Sequence, residues 1–111
     1  ALYAPTDNTV ASAYDLVGNI CVNKNIPILC GEEAGVSKGG LCSIGIDYFK
    51  LGKEAGYKAA EILNGTKPSD IEISTLSDMS ITINTEVAEK LNITIPEDIN
   101  TKANKVTGGV Q

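Results

Sequence analysis

Carboxylate side chains directly follow three apolar stretches of the chain, and their residue types could bind a cation. The four residues are Asp7, Glu32, Glu33 and Asp47. If the apolar stretches are parallel strands, their carboxyl ends meet at one edge of the sheet, where open α/β sheets bind ligands. Carboxylates brought this close raise one another's pKa unless a cation joins them. An ammonium group is the natural cation for such a cluster.

Polar and aromatic residues beside these carboxylates could contribute further contacts to the same ligand. Thr6 and Asn8 flank Asp7 and could supply the further hydrogen bonds that a buried charged pair needs. Backbone N–H groups near a helix start could hold a carboxylate, and Tyr48 or Tyr3 could stack on an aromatic ring. A zwitterion such as an amino acid would suit this set of groups.

Other roles for the same residues stay open. Asp7, Asn8 and Asp47 are residue types that cap helices, and Glu32 and Glu33 could belong to a solvated loop. Paired carboxylates also occur in hydrolases and in Mg²⁺ or Ca²⁺ sites. The calcium-loop pattern is absent, and so are the GxGxxG and GxxxxGK[ST] phosphate patterns.

Composition removes several classes of function. The 111 residues include no His and no Arg, with nine Lys against fourteen acidic residues and a net charge of -5. Without His, a Ser-His-Asp triad, a Cys-His pair and a His-ligated metal are excluded. The missing Arg and the acidity argue against nucleic acid as a partner. No cofactor and no metal site are therefore expected, and a small metal-dependent α/β enzyme is a minor alternative.

The three cysteines do not suggest a metal or disulfide framework. Cys21, Cys30 and Cys42 form no CxxC pair, and their number is odd. We expect buried or half-buried free thiols that pack as small hydrophobic groups.

Hydrophobic periodicity predicts the elements that must position the candidate residues. Strands are predicted at 1–4, 26–30, 41–46, 71–75 and 79–83, helices at 10–21, 51–63, 85–91 and 96–106, and a frayed tail at 107–111. This alternation is typical of an α/β fold with a parallel sheet flanked by helices. Thirteen Ile residues are available for an aliphatic core.

Two segments carry a resemblance to a known protein family. The run from Tyr3 to Ala13 resembles the "YxPTDNTVASA" stretch of a bacterial ABC-transporter solute-binding family associated with tryptophan or tyrosine uptake. The segment from Ser43 to Gly56 resembles its "tvGIDYyeLGrqtG" stretch. Weaker matches follow the same order at 26–33, 59–68 and 84–97, so the resemblance covers nearly the whole chain.

The resemblance implies an architecture. Members have the type I periplasmic-binding-protein fold, in which two α/β lobes joined by crossover strands close on a ligand. The chain would be a C-terminal fragment. Residues 1–42 would end the second lobe, residues 43–76 would return to the first lobe, and residues 77–111 would form the final crossing and C-terminal helices. Hinges would lie near Gly39–Gly40 and Thr75–Ser77.

The resemblance also implies a function. The chain would belong to an extracytoplasmic solute-binding component of an ABC importer, in the periplasm or as a cell-surface lipoprotein, and not to an enzyme. It would bind an amino acid-like, aromatic ligand and would deliver it to ABC permease subunits. The implied ligand-binding residues are Thr6, Asp7, Asn8, Glu32, Glu33, Asp47 and Tyr48.

Two further expectations concern partners and class. Without an N-terminal lobe, the fragment exposes apolar surface and open sheet edges, so we expect it to dimerise or exchange strands. The alternative function is the effector-binding domain of a sugar-repressor-type transcription regulator, which shares the fold.

Overall fold

Short strands and helices alternate along the chain. The computed structural model of the protein describes residues 1–76 and 79–110. The strands are β1 (Leu2–Ala4), β2 (Ile28–Cys30), β3 (Cys42–Ile46), β4 (Met79–Asn84) and β5 (Asn104–Val106). The helices are α1 (Asn8–Ser12), α2 (Tyr14–Asn23), α3 (Glu33–Val36), α4 (Tyr48–Leu63), α5 (Thr85–Lys90) and α6 (Glu97–Asn100), with a 3₁₀ turn at Pro68–Asp70.

The strands form one sheet in the order β1-β2-β3-β4-β5. Pairing is parallel between β1 and β2, between β2 and β3, and between β4 and β5. Ala4 lies opposite Cys30, so β1 and β2 end at the same level of the sheet. The predicted α/β class with parallel strands flanked by helices is confirmed.

The chain divides into two compact units. The first unit combines Ala1–Gly45 with Ser80–Gln111, and it contains most of the sheet. The second unit, Ile46–Met79, is inserted in the chain between β3 and β4 and contains α4. No residue of α4 is buried within the structure described.

Two hydrophobic clusters stabilise the first unit. One joins α2 to the first two strands and includes Ala4, Tyr14, Cys21, Ile28, Cys30 and Val36. The other joins Leu41, directly before β3, to Val87 and Ala88 of α5. Cys21 and Cys30 are buried and Cys42 is half-buried, so the thiols pack as small hydrophobic groups, as predicted.

The buried side chain of Asn84 joins three parts of the first unit. Its Nδ2 donates to Val36 O at 2.8 Å and to Gly108 O at 2.9 Å. Its Oδ1 accepts from Val87 N at 3.1 Å and so caps α5. The amide nitrogen and the amide oxygen of Asn84 therefore both have partners, as a fully buried amide requires.

Three predicted elements are wrong. Residues 71–75 form no strand, because alternation alone gives a strand only where a partner pairs with it. The predicted helix 96–106 is the short α6 followed by β5, because pairing with β4 overrides the helical spacing. The predicted helix 10–21 is two helices, α1 and α2, since the backbone turns at Ala13.

The predicted frayed tail is also wrong for the residues described. Gly108 N donates to Glu86 Oε2 at 2.9 Å, and Gly108 O accepts from Asn84. Hydrogen bonds from Lys90 and Gly108 lower the pKa of Glu86 below its usual value. A Cβ on Gly109, which has a φ of +79°, would lie 2.3 Å from Ser37 O. Gln111 lies outside the described residues.

Two hinge positions were expected. Gly39, with a φ of +103°, packs against Gly18 inside the first unit. Ser77, in the other expected hinge, lies outside the described residues. Within residues 1–76 and 79–110, the helices are too short and too polar to span a bilayer.

Replacing Asn84 with Ala should destabilise the 111-residue chain by about 2–4 kcal/mol, because the buried Val36 carbonyl, the half-buried Gly108 carbonyl and the Val87 N–H lose their partner together. Urea unfolding followed by circular dichroism measures this. Asn23→Ala, at an exposed position, is the matched control and should change stability by less than about 0.5 kcal/mol. Equal effects of the two substitutions would contradict the role assigned to Asn84.

Candidate ligand-binding site

The turn after β1 is organised by Asp7. Its Oδ1 accepts from Thr9 N at 2.8 Å and from Val10 N at 3.0 Å, which caps α1. One carboxylate oxygen thus satisfies two helix N–H groups that have no partner within the helix. Thr6 and Asn8, on either side, are exposed. Asp7 therefore caps α1, which was one of its predicted alternatives. Its other carboxylate oxygen takes no part in these two hydrogen bonds.

The turn after β2 lies directly against the turn after β1. Gly31 N donates to Ala4 O at 2.8 Å. A Cβ on Gly31 would lie 2.8 Å from Thr6 Oγ1 and 2.9 Å from Thr6 N, so only glycine fits there. The predicted clusters 6–8 and 31–33 are thus brought together at one edge of the sheet.

Glu32 and Glu33 stand at the start of α3. Glu32 occupies the N-cap position with extended backbone, but its side chain makes no capping hydrogen bond. Glu32 is half-buried, and Glu33 is exposed. The end of β3 also approaches this edge, because a Cβ on Gly45 would lie 3.1 Å from Gly31 O.

A shallow hollow of about 260 Å³ opens beside this edge within the first unit. It is lined by Tyr3, Leu29, Cys30, Gly31, Cys42, Ser43 and Ile44. Tyr3 is 67% exposed, so its ring is available to another aromatic group. The hollow is mostly apolar, and its lining includes two thiols, from Cys30 and Cys42, and the hydroxyl of the buried Ser43.

Tyr14 packs against α3, the short helix that follows Glu32. Its ring fills the space in front of Gly35, where a Cβ would lie 2.6 Å from Tyr14 Cζ. Burial, together with the Cys30 thiol and the Glu32 carboxylate, raises the pKa of Tyr14 to about 12. Burial likewise raises the pKa of Cys30 to about 11. Both groups therefore stay protonated at neutral pH.

The second unit contains the other two predicted residues. Asp47 Oδ1 accepts from Phe49 N at 3.0 Å and from Lys50 N at 3.1 Å, which caps α4. Tyr48 follows as the first residue of that helix and is 60% exposed. Asp47 thus repeats the arrangement of Asp7.

A separate apolar hollow of about 340 Å³ lies in the second unit, and none of the predicted residues contributes to it. Its lining consists of Lys58, Ile62, Pro68, Ile71, Glu72, Ile73 and Ser74. Lys58 Nζ donates to Glu72 O within it. Across the described ranges, no three Cys, Asp or Glu side chains converge in a way that could hold a metal ion.

The comparison with family models is decisive. The model of the ABC transporter substrate binding proteins matches residues 1–107. The chain belongs to this family. The predicted resemblance is confirmed.

Two curated relatives align with most of the chain. The tyrosine-binding protein of Clostridioides difficile (strain R20291) is 41% identical over 92 residues, which are 83% of this chain and 27% of that protein. An uncharacterised protein of Rickettsia prowazekii (strain Madrid E) is 28% identical over 93 residues, which are 84% and 31% of the two chains.

Solved structures extend this similarity to the fold. A ligand-free, open substrate-binding protein with adhesive properties from Clostridium difficile matches with a TM-score of 0.79 and 37% identity. The match covers 96% of this chain and 36% of that protein. A Streptococcus pneumoniae ABC domain in complex with L-Trp matches with a TM-score of 0.78 and 34% identity over 98% of this chain. The chain thus spans 27–36% of the length of these relatives.

Three features of this edge escaped sequence reasoning. Gly31 has no predicted role, although an isolated glycine at a strand can mark a close approach of two backbone segments. Tyr14 falls inside the predicted helix 10–21 and has no further predicted role. The helix α3, which starts at Glu33, is only four residues long and has too little periodicity to be predicted.

Replacing Gly31 with Ala should destabilise the 111-residue chain by about 1–3 kcal/mol, because the new methyl group forces the two turns apart. Gly56→Ala in α4 is the matched control, since nothing lies within 4 Å of its Cβ position. That control should stabilise the chain by about 0.5–1 kcal/mol through helix propensity. Chemical denaturation measures both, and a Gly31→Ala chain as stable as the parent would contradict the close approach.

Proposed function

We propose that this chain carries part of the ligand-binding site of an extracytoplasmic substrate-binding protein that serves an ABC importer and performs no catalysis. The match of the family model over residues 1–107 supports this proposal most strongly. In this role the protein takes up a small amino acid and presents it to permease subunits in the membrane. The periplasm or a lipid anchor at the cell surface fits such a role.

The proposed ligand is an aromatic amino acid. Support comes from the relatives, since one is a tyrosine-binding protein and another was solved with L-Trp. Within this chain, the acidic turns suit an ammonium group, and the exposed ring of Tyr3 beside the apolar hollow suits an aromatic side chain. The proposed contacts are Thr6, Asp7, Asn8, Glu32, Glu33, Asp47 and Tyr48.

We also propose that the chain works with a further lobe that its 111 residues do not include. The chain spans only about a third of the relatives' length. Residues 1–42 would end the second lobe, residues 43–76 would belong to the first lobe, and residues 77–111 would make the final crossing. The separate compactness of residues 46–79 supports this division. Ligand binding would then favour closure of the lobes, which is the common way that two-lobed binding proteins respond.

Serine substitutions separate the capping role of Asp7 from its proposed role in ligand binding. Serine caps helices about as well as aspartate but carries no charge. In the longest protein that the gene encodes, Asp7→Ser should keep the melting temperature within about 2 °C. It should weaken binding of L-tyrosine or L-tryptophan at least tenfold, as isothermal titration calorimetry would show.

Two controls complete this experiment. Asp7→Ala removes both cap and charge, so it should also lower stability by about 1 kcal/mol. Asp15→Ser, at an exposed position on α2, should leave the affinity unchanged. If the parent protein binds no amino acid, the proposed ligand is wrong; if Asp7→Ser binds like the parent, Asp7 acts only as a cap.

The 111-residue chain by itself should self-associate. Apolar side chains are exposed in each unit, including Ile44 at 66% in the first and Phe49 at 81% in the second. Exposed apolar surface of this kind favours association. Light scattering coupled to size exclusion at micromolar concentration should show dimers or larger species. Ile44→Lys should shift the distribution toward monomer, and a monomeric parent chain would contradict the expectation.

A further inference from the structure

The helix α4 carries an apolar stripe that the described part of the chain leaves uncovered. The stripe consists of Leu51, Ala55, Ala59 and Ile62, which recur at the spacing of one helix face. No residue of α4 is buried within the structure described, and Leu51 and Ile62 are 42% and 43% exposed. Amphipathic helices of folded proteins turn such a face toward a core. The α4 stripe therefore calls for a partner surface.

The segment 71–75, which follows α4, has the character of an unpaired strand. Its residues alternate between apolar and polar, and Ile73 is 94% exposed. Lys58 Nζ donates to Glu72 O and so ties the segment to α4. In the part of the chain that the structure describes, only the first N–H of the segment, that of Ile71, donates to a backbone carbonyl. The remaining N–H groups are available to a neighbouring strand.

The helix and the segment together form half of an apolar core. The hollow of about 340 Å³ in the second unit is lined by Ile62 of α4 and by Ile71 and Ile73 of the segment, among others. The whole unit, Ile46–Met79, is shorter than the roughly 40 residues that a domain needs to fold without disulfides or metals. Such a unit is too small to supply the other half of this core itself.

A β-sheet is the surface that fits both features. In α/β folds a strand extends the edge of a sheet while the helix beside it packs on the sheet face. The same polypeptide has room for such a sheet in the relatives, because the chain spans only 27–36% of their length. A second copy of the chain fits less well. The edge strands of its sheet, β1 and β5, are only three residues long, which is shorter than the segment 71–75.

We propose that the second unit docks on the edge of a β-sheet in the further lobe: residues 71–75 pair with its edge strand, and the α4 stripe packs on its face. Main-chain hydrogen bonds hold the segment, and the alternation of Ile71 and Ile73 fixes its register. This inference rests on the proposed function, which includes the further lobe, and it names the surface by which the chain joins that lobe.

Hydrogen exchange followed by mass spectrometry tests the pairing without any substitution. The amides of residues 72–75 should exchange at least about tenfold more slowly in the longest protein that the gene encodes than in the 111-residue chain, because a paired N–H exchanges only when its strand opens. Equal exchange in the two proteins would overturn the inference. Protection that appears in the 111-residue chain as its concentration rises would assign the surface to a second copy and would also overturn it.

Ile73→Asp, made in both proteins, tests whether the side chain becomes buried. In the 111-residue chain it should change the melting temperature by less than about 3 °C, because Ile73 is exposed there. In the longest protein it should lower the melting temperature by at least about 6 °C or prevent folding, because the carboxylate would be buried without a partner.

Leu16→Asp on α2 is the matched control, since Leu16 is 66% exposed and lies in the first unit. It should change the melting temperature of either protein by less than about 3 °C. If Ile73→Asp is tolerated equally in both proteins, the inference is overturned. If Leu16→Asp destabilises the longest protein as much as Ile73→Asp does, the effect is not specific to the segment 71–75 and the inference is likewise overturned.

These measurements use no ligand, so they fail separately from the proposed function. A longest protein that protects residues 72–75 but binds no amino acid would keep this inference and overturn the proposed ligand. A longest protein that binds L-tyrosine or L-tryptophan but leaves these amides unprotected would overturn only this inference.

Discussion

The close approach of two turns at the ends of β1 and β2 is the constraint on which the candidate site depends. Parallel pairing of Ala4 with Cys30 brings both strands to an end at the same level. The chain can then place Thr6 against Gly31 only because position 31 has no side chain. Residues that are about 25 positions apart in sequence thus become neighbours. The turn at 31–33 is held against the turn at 6–8.

Helix capping and the proposed ligand binding make compatible demands on the same carboxylates. Asp7 and Asp47 each use one oxygen for two backbone N–H groups, which fixes the orientation of the carboxylate and leaves the other oxygen outside those bonds. Glu32 differs because it stands at a cap position without capping. If these carboxylates bind the ligand as proposed, the helix starts would hold them in place, and stability and affinity could be altered separately.

Much of the fold could be predicted from the sequence, since the apolar runs and the cap residues act locally. The strand ends and the capping of α4 by Asp47 follow from such local signals. The errors arose where distant pairing decides the structure: residues 104–106 join β4, and residues 71–75 find no partner strand. The proximity of the turns at Thr6 and Gly31 could be expected, but the buried hydroxyl of Tyr14 could not, because it depends on how α2 packs against α3.

A crystal structure of the longest protein that the gene encodes, grown with L-tyrosine or L-tryptophan, is the most direct test of the central claim. The account predicts that the ligand nitrogen lies within about 3.2 Å of a carboxylate oxygen from the turns at 6–8 or 31–33. It also predicts that the ligand ring lies in an aromatic or apolar part of the same site. A ligand bound with its nitrogen far from both turns would contradict the account.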